Sequence, residues 1–246
     1  MPNELISDRL TSLTPGPDDA ACAIEINDLW RIYSPGTRQE VQALRGIDLK
    51  IAAGCFVALK GRSGSGKTTL INCIGGLDRP TRGTVRVFGY EPYNLDEKQL
   101  TLFRRKQVGF IFQSFGLSHN YSAYENIELM LRIGGVPHRE WRERVLYCLR
   151  LVGLEKWKNH RPDELSGGQQ QRIAIARALV SRPRLILADE PTGDLDSTTA
   201  KEILSIFRRI VAEEKVTLLI SSHDPIVVEY VDRTINLKDG HLLSEN

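Results

Sequence analysis

Long apolar runs are missing from this chain. No segment approaches the ~18–20 apolar residues that a bilayer-spanning helix requires. The first ten residues carry Glu4, Asp8 and Arg9 in place of the apolar stretch of a secretory signal. Cysteine is scarce as well: the four present, Cys22, Cys55, Cys73 and Cys148, form no Cys-x-x-Cys pair. That excludes a zinc pattern and a disulfide framework and fits a reducing compartment. Net charge is almost absent, +2 over 246 residues, so no global field points to nucleic acid. The local cluster Arg104-Arg105-Lys106 reads as a solvated helix face. There is no internal repeat and no low-complexity stretch. What remains is an ordinary globular composition, 41% hydrophobic and 26% charged, sufficient for a normal core. The expectation is a soluble cytoplasmic protein.

Periodicity divides the chain. Residues 1–23 read as an extension, because Thr14-Pro15-Gly16-Pro17 breaks any short helix started by Leu5 to Leu13. Alternation predicts strands over Ile24–Ile32 and Val41–Ile51. The short apolar run Cys55-Phe56-Val57-Ala58-Leu59 predicts a buried strand, and Thr68–Ile74 a helix. A turn-rich hairpin is expected around Thr84–Phe88. Helical spacing dominates about residues 95–180, with Trp141, Val145, Cys148, Leu149 and Val152 on one face and a helix end at Gly153. Leu185–Ala188 and Val216–Ser221 read as buried strands, separated by a helix through Ile203, Leu204, Phe207, Ile210 and Val211. A hairpin closes the chain around Asp239-Gly240. Alternating strands and helices imply a mainly parallel α/β sheet, interrupted in sequence by a helical insertion.

Gly61-Arg62-Ser63-Gly64-Ser65-Gly66-Lys67-Thr68 matches G-x-x-x-x-G-K-[ST] in full. Glycines let backbone N–H groups approach phosphate oxygens, and the helix that begins near Lys67 aims its positive end at the same anion. Lys67 supplies a point charge for the β- and γ-phosphates, the Thr68 hydroxyl is placed to ligate Mg²⁺, and Thr69 is grouped with the same site. Asp189 and Glu190 close a buried strand, where ligands of open α/β sheets bind. There Asp189 would hold Mg²⁺ through its water shell and Glu190 would polarise an attacking water. Either could instead serve as a helix cap or turn acid.

Leu165-Ser166-Gly167-Gly168-Gln169-Gln170-Gln171-Arg172, about 20 residues before the acidic strand, resembles the signature of ATP-binding cassette ATPases. A serine and two glycines opening a helix also make a second anion-binding terminus. The resemblance covers nearly all of residues 24–243. It implies a P-loop NTPase (RecA-like) core with a mainly parallel sheet, an antiparallel β subdomain and an inserted helical subdomain over about 114–178. Residues 24–246 would form a single ATPase domain. It further implies that Tyr33 stacks on adenine, that Gln113 touches Mg²⁺ and the transport subunit, and that Asp196, in Gly193-Asp194-Leu195-Asp196, crosses a dimer interface. It implies that His223 contacts the γ-phosphate and that Ser166, Gly167, Gly168 and Gln169 reach the nucleotide of a second copy. Ile74-Gly75-Gly76-Leu77-Asp78, Gly109–Gln113 and Ala188–Asp196 narrow the likeness to the macrolide-exporter and lipoprotein-release branch. Cys55 departs from the family's usual acid, Thr68 from its commoner serine, and Lys60 adds a cation before the loop.

The resemblance therefore implies an ATPase using ATP and Mg²⁺. It would form a homodimer through ATP and work with separate membrane permease subunits, without nucleic acid. Its membrane contact would run only through the permease, on the cytoplasmic face of the inner membrane. The sequence leaves open a regulatory ATPase that remodels the envelope without moving a substrate.

Overall fold

A computed structural model describes residues 21–243. In chain order its strands and longer helices are β1 (Cys22–Tyr33), β2 (Val41–Ala52), β3 (Phe56–Lys60), α1 (Lys67–Ile74), β4 (Arg82–Val87) and α2 (Glu97–Gln107). They continue as β5 (Val108–Ile111), α3 (Ala123–Ile133), α4 (His138–Leu151), α5 (Gly167–Leu179) and β6 (Leu185–Asp189). The last are α6 (Ser197–Glu214), β7 (Thr217–Ser222), β8 (Arg233–Lys238) and β9 (His241–Leu242). The extension expected before residue 24 lies outside the described residues up to position 20. The last two of its residues, Cys22 and Ala23, belong to β1.

The chain folds as two compact units. One comprises the described residues up to Ala53, Gly61–Arg104, and those from Ile235 onward. Here β1 pairs antiparallel with both β2 and β4, in the order β2-β1-β4. In β1 Ala23, Ile24, Ile26 and Leu29 are buried, with register shifts near Cys22 and after Ile26 interrupting strict alternation, and Leu70, Ile71, Cys73 and Ile74 supply the buried side of α1. Burial pushes the Cys73 thiol up to about 12, so it behaves as a small hydrophobe. The expected hairpin at Thr84–Phe88 is corrected. That segment is β4, whose strand partner is β1 some sixty residues earlier, in a register joining Ile24 to Val87 and Ile26 to Val85, while Val87 also bridges locally to Tyr90. The closing hairpin is present, β8 with β9 around Asp239-Gly240.

The other unit comprises Gly54–Lys60 and Arg105–Thr234. Its parallel strands run in the order β5-β6-β7-β3. They read as continuous apolar runs because both faces are buried: Val57, Leu59, Leu187 and Leu219 are as inaccessible as Phe56, Ala58, Ile186 and Ile220. Phe56, Ala58, Ile186, Ala188, Leu218 and Ile220 join Ile203, Phe207 and Ile210 of α6, Ile173 of α5 and Ile127 of α3 in one core. Within residues 95–180, where helical spacing dominates, the structure adds the strand β5. It has only four residues, and its Gly109 lies so close to α5 that a Cβ there would stand 2.6 Å from the Ala178 carbonyl. Phe207 is fully buried and meets Phe56 edge-on at 6.2 Å. Phe207→Ala should therefore cost about 3–5 kcal/mol. Urea unfolding would check this, and a loss below about 1 kcal/mol would show that the sheet and α6 do not depend on this contact.

Candidate functional site

The phosphate loop lies in the first unit. Gly64 and Gly66 take φ of 78° and 105°, which only glycine adopts cheaply. Gly66 has a second reason to be glycine: a Cβ would come 2.5 Å from the Ala43 carbonyl oxygen. A Cβ on Gly61 would fall inside contact distance of the Leu237 carbonyl, so β2 and β8 press against the loop's backbone. The Gly240 N–H donates to the Ser65 carbonyl at 3.1 Å. Lys67, almost fully buried, donates its ammonium to the carbonyls of Gly61 at 2.8 Å and Arg62 at 3.2 Å. A buried cation held by its own loop, beside backbone pinned in a glycine-only conformation, is a cradle that fits a polyphosphate. The Ser65 hydroxyl is buried there without a bonding partner. Thr68 and Thr69 follow within the first turn of α1.

Tyr33, the last residue of β1 and 36% exposed, is held more firmly than its sequence suggests. Its hydroxyl donates to Asp78 Oδ2 at 2.5 Å, and the Arg31 guanidinium covers one ring face at 4.2 Å. Arg31 in turn grips Asp78 through both carboxylate oxygens, at 2.7 and 2.9 Å. Burial, then the Asp78 carboxylate, pushes the Tyr33 phenol above its ordinary range, so it stays a donor. Asp78 follows α1 by four residues, and Tyr93 donates to its carbonyl at 2.6 Å. An Arg31–Asp78 clamp thus orients the ring. Sequence reasoning missed it, and only the proximity of Asp78 to the loop's helix hinted at it.

The second unit carries the acidic end. The Ser221 hydroxyl, fully buried in β7, donates to Asp189 Oδ1 at 2.6 Å and accepts from the Glu190 N–H at 2.8 Å. Glu190 has φ +45°, a left-handed conformation that a carboxylate residue adopts at a cost of about 1–3 kcal/mol. Its Oε2 lies 2.9 Å from His223 Nδ1. Two residues expected to act on the same nucleotide are therefore already paired. Gln113 Nε2 donates to Asp194 Oδ1 at 3.3 Å, beside Gly193. Beyond it, Phe115 and Gly116 both take positive φ, and the Arg177 guanidinium of α5 donates to both their carbonyls, at 2.7 Å for Phe115. Burial pulls the Arg177 guanidinium below its ordinary range. Gln171, also on α5 and fully buried, donates to the Pro191 carbonyl at 2.8 Å. Ser221, Arg177 and Gln171 were not singled out from the sequence, because each acts across 20 to 62 positions.

Ser166 and Gln169 form a capping box on α5: the Ser166 hydroxyl accepts from the Gln169 N–H, and the Gln169 side chain accepts from the Ser166 N–H at 2.9 Å. At Gly167 a Cβ would meet Leu195 and Phe115 at ordinary contact distances of 3.6 and 3.8 Å. Gly168 is glycine for packing as well, since a Cβ would stand 2.5 Å from Thr199 Cγ2. Asp196 caps α6, accepting from the N–H groups of Thr198 and Thr199 at 3.0 Å and from the Thr199 hydroxyl at 2.6 Å. The Thr199 hydroxyl first, with these N–H groups, holds its carboxyl below the usual range. The Arg104–Lys106 cluster is not uniformly a solvated face, because Arg104 donates to the Gly76 carbonyl at 3.1 Å.

Residues 44–193 match the family model described as ABC transporter. The chain is 45% identical over 225 residues to a macrolide export ATP-binding/permease protein MacB of Syntrophobacter fumaroxidans, covering 91% of this chain and 31% of that protein. It is 42% identical over 229 residues to a lipoprotein-releasing system ATP-binding protein LolD of Chromohalobacter salexigens, covering 93% and 96%. The chain thus spans about a third of the exporter and nearly all of the second relative. Among solved structures it is similar, with a TM-score of 0.82 and 40% identity, to a dimeric post-hydrolysis state of the ATP-binding cassette MJ0796 bound to ADP and Pi, from Methanocaldococcus jannaschii. That likeness covers 91% of this chain and 97% of the other.

Two outcomes follow from the geometry. Gly66→Ala should weaken ATP binding at least about tenfold, about 1.4 kcal/mol, because the loop must move off the Ala43 carbonyl. A fluorescent-nucleotide titration showing wild-type affinity would contradict this. Asp78→Ala should loosen Tyr33 and weaken ATP about tenfold while leaving inorganic tripolyphosphate within about twofold. Equal losses for both would mean that Asp78 serves the phosphate loop and not the ring.

Proposed function

Since the chain belongs to the ABC transporter family, as one of its nucleotide-binding ATPases, we propose that it hydrolyses ATP in a head-to-tail dimer and drives a separate membrane permease. The observation that carries the proposal is that one chain holds two separate helix N-termini suited to an anion, at the phosphate loop and at Ser166. The Ser166–Gln169 end of α5 presents a capped helix N-terminus that opens on two successive glycines, Gly167 and Gly168. A helix N-terminus of this kind favours a phosphate. Together with the phosphate loop, it supplies two anion sites per chain where one nucleotide needs two walls. ATP then lies between Gly61–Thr68 of one copy and Ser166–Gln169 of the next, and Tyr33 stacks on adenine. The similar MJ0796 cassette is dimeric with ADP and Pi bound, which supports this reading.

Within that site Lys67 and the loop's N–H groups bind the phosphates. Thr68, Asp189 and Gln113 are hard oxygen donors that fit Mg²⁺, and a bound magnesium ion would neutralise charge on the β- and γ-phosphates. Glu190 orients and deprotonates the attacking water. His223, hydrogen-bonded to Glu190 at 2.9 Å, fixes that carboxylate and turns to the γ-phosphate when the dimer closes. Asp196 caps α6 and faces the second copy. Loss of the γ-phosphate removes the bridge between the copies, and the dimer opens. Gln113 and the loop held by Arg177 pass that movement to the permease.

Among the described residues no helix is long and apolar enough to cross a membrane, so the permease is a separate polypeptide or a separate part of one. The exporter and lipoprotein-release relatives favour export or mechanical extraction of a substrate. A mechanotransducing ATPase of envelope remodelling uses the same dimer. Identification of the membrane protein that co-purifies from detergent separates the two.

Glu190→Gln should retain ATP, slow turnover at least about a hundredfold, and accumulate as a dimer on size exclusion with ATP. A monomer under those conditions would contradict the ATP-bridged dimer. Ser166→Arg should abolish turnover while an isolated chain binds ATP with nearly wild-type affinity. Loss of binding in the isolated chain would place Ser166 on the chain's own nucleotide.

A further inference from the structure

Far less ordinary than the sequence suggests is a recess of about 530 Å³ between the C-terminal end of α4, the middle of α5 and the outer side of α6. Arg150, Arg172, Lys201 and Arg209 line it, against a single carboxylate, Glu202. Nearby acids do not cancel this excess. Arg172 pairs with Glu202, and Arg150 pairs at 3.2 Å with Glu155, where both side chains are about half exposed and the pair is weak. Arg209 donates to the neutral Leu151 carbonyl and has no ion pair among the described residues. The Lys201 ammonium has no ion pair among the described residues. The Arg172 Nε is buried without an acceptor. The floor is apolar, from the buried Val152 and Ile206, and Thr198 and Ser205 add hydroxyls at the wall.

Like charges converging on one recess repel one another until an anion enters, and a concave site concentrates that field. Guanidinium forks from different helices suit phosphate oxygens. Spacing narrows the ligand further. Lys201 and Arg209 are eight residues apart on one helix, roughly 12 Å along its axis, so the cations are spread along the recess and match several phosphate groups better than one. The volume is that of a small-molecule site, and the recess is shallow and open to solvent, so a ligand can extend along it.

We propose that this recess binds a soluble, elongated polyanion carrying several phosphate groups, at a site separate from the nucleotide. The site has a structural link to the ATPase machinery. Its walls are α5 and α6, whose N-termini are the Ser166–Gln169 and Asp196 loops, and α5 and α6 touch where Gly168 meets Thr199. A ligand bridging α4, α5 and α6 braces those two loops together.

The test is isothermal titration of the full chain with inorganic polyphosphate of about ten units, in excess Mg²⁺ and with the phosphate loop saturated by a non-hydrolysable ATP analogue. The expected result is one site per chain. It weakens at least tenfold in Lys201→Glu and in Ser205→Glu, two exposed substitutions that leave basal ATPase activity unchanged, and it weakens at high salt. Absence of binding to the wild type, or equal binding by both variants, overturns the proposal. Equal binding of polyglutamate overturns the phosphate chemistry, and binding only to phosphatidylglycerol vesicles overturns the soluble ligand. Each outcome is independent of whether ATP bridges two copies.

Discussion

Strands buried on both faces can place an ionised group only where they end, and this constraint organises the functional half of the molecule. Leu185 to Ala188 are fully buried, so the first position in β6 that can carry a charge is Asp189. The same holds for β5, which releases the chain toward Gln113, and for β7, which ends before His223. Since β5, β6 and β7 are parallel neighbours, the three loops leave the same edge of the sheet. In β3 the run Phe56–Leu59 ends at Lys60, and the chain passes directly into Gly61. Polar chemistry thus collects where apolar strands stop.

What the sheet edge gathers, a few buried polar side chains hold in place. Ser221 satisfies the carboxylate of Asp189 and the N–H of a strained Glu190 with one hydroxyl. Gln171 holds the next loop at Pro191, and Arg177 holds the loop after Gln113, so α5 grips two site loops while offering its own N-terminus. Movement of α5 is therefore transmitted to both. The left-handed Glu190 is strain located where a water must be oriented, and Ser221 is the bond that maintains it.

Much of this was legible in the sequence, for local reasons. Gly61–Thr68 encodes its conformation in contiguous residues, and the capping box of Ser166 and Gln169 spans three positions. The runs before Asp189 and His223 declare buried strands by composition. Other features stayed hidden because their partners are remote. β5 is four residues long between helical patterns, and its strand character comes from pairing with β6, not from its own propensity. The pairing of β4 with β1 could not be read from turn signals that surround β4 alone. The Arg31–Asp78 clamp joins positions 47 apart. Gly168 has a packing reason that its motif does not state, since it makes room for Thr199.

Two half-sites on one chain are the centre of this account, and complementation tests them most directly. Lys67→Ala destroys the phosphate-loop wall and Ser166→Arg the opposite wall, so each variant alone should be inactive. A mixed dimer contains one site whose Lys67 and Ser166 are both intact, contributed by different copies. Mixing the two inactive proteins should restore ATPase activity, up to about half of that of a wild-type dimer in the mixed species. A mixture as inactive as its components would contradict the shared site and return both walls to a single chain.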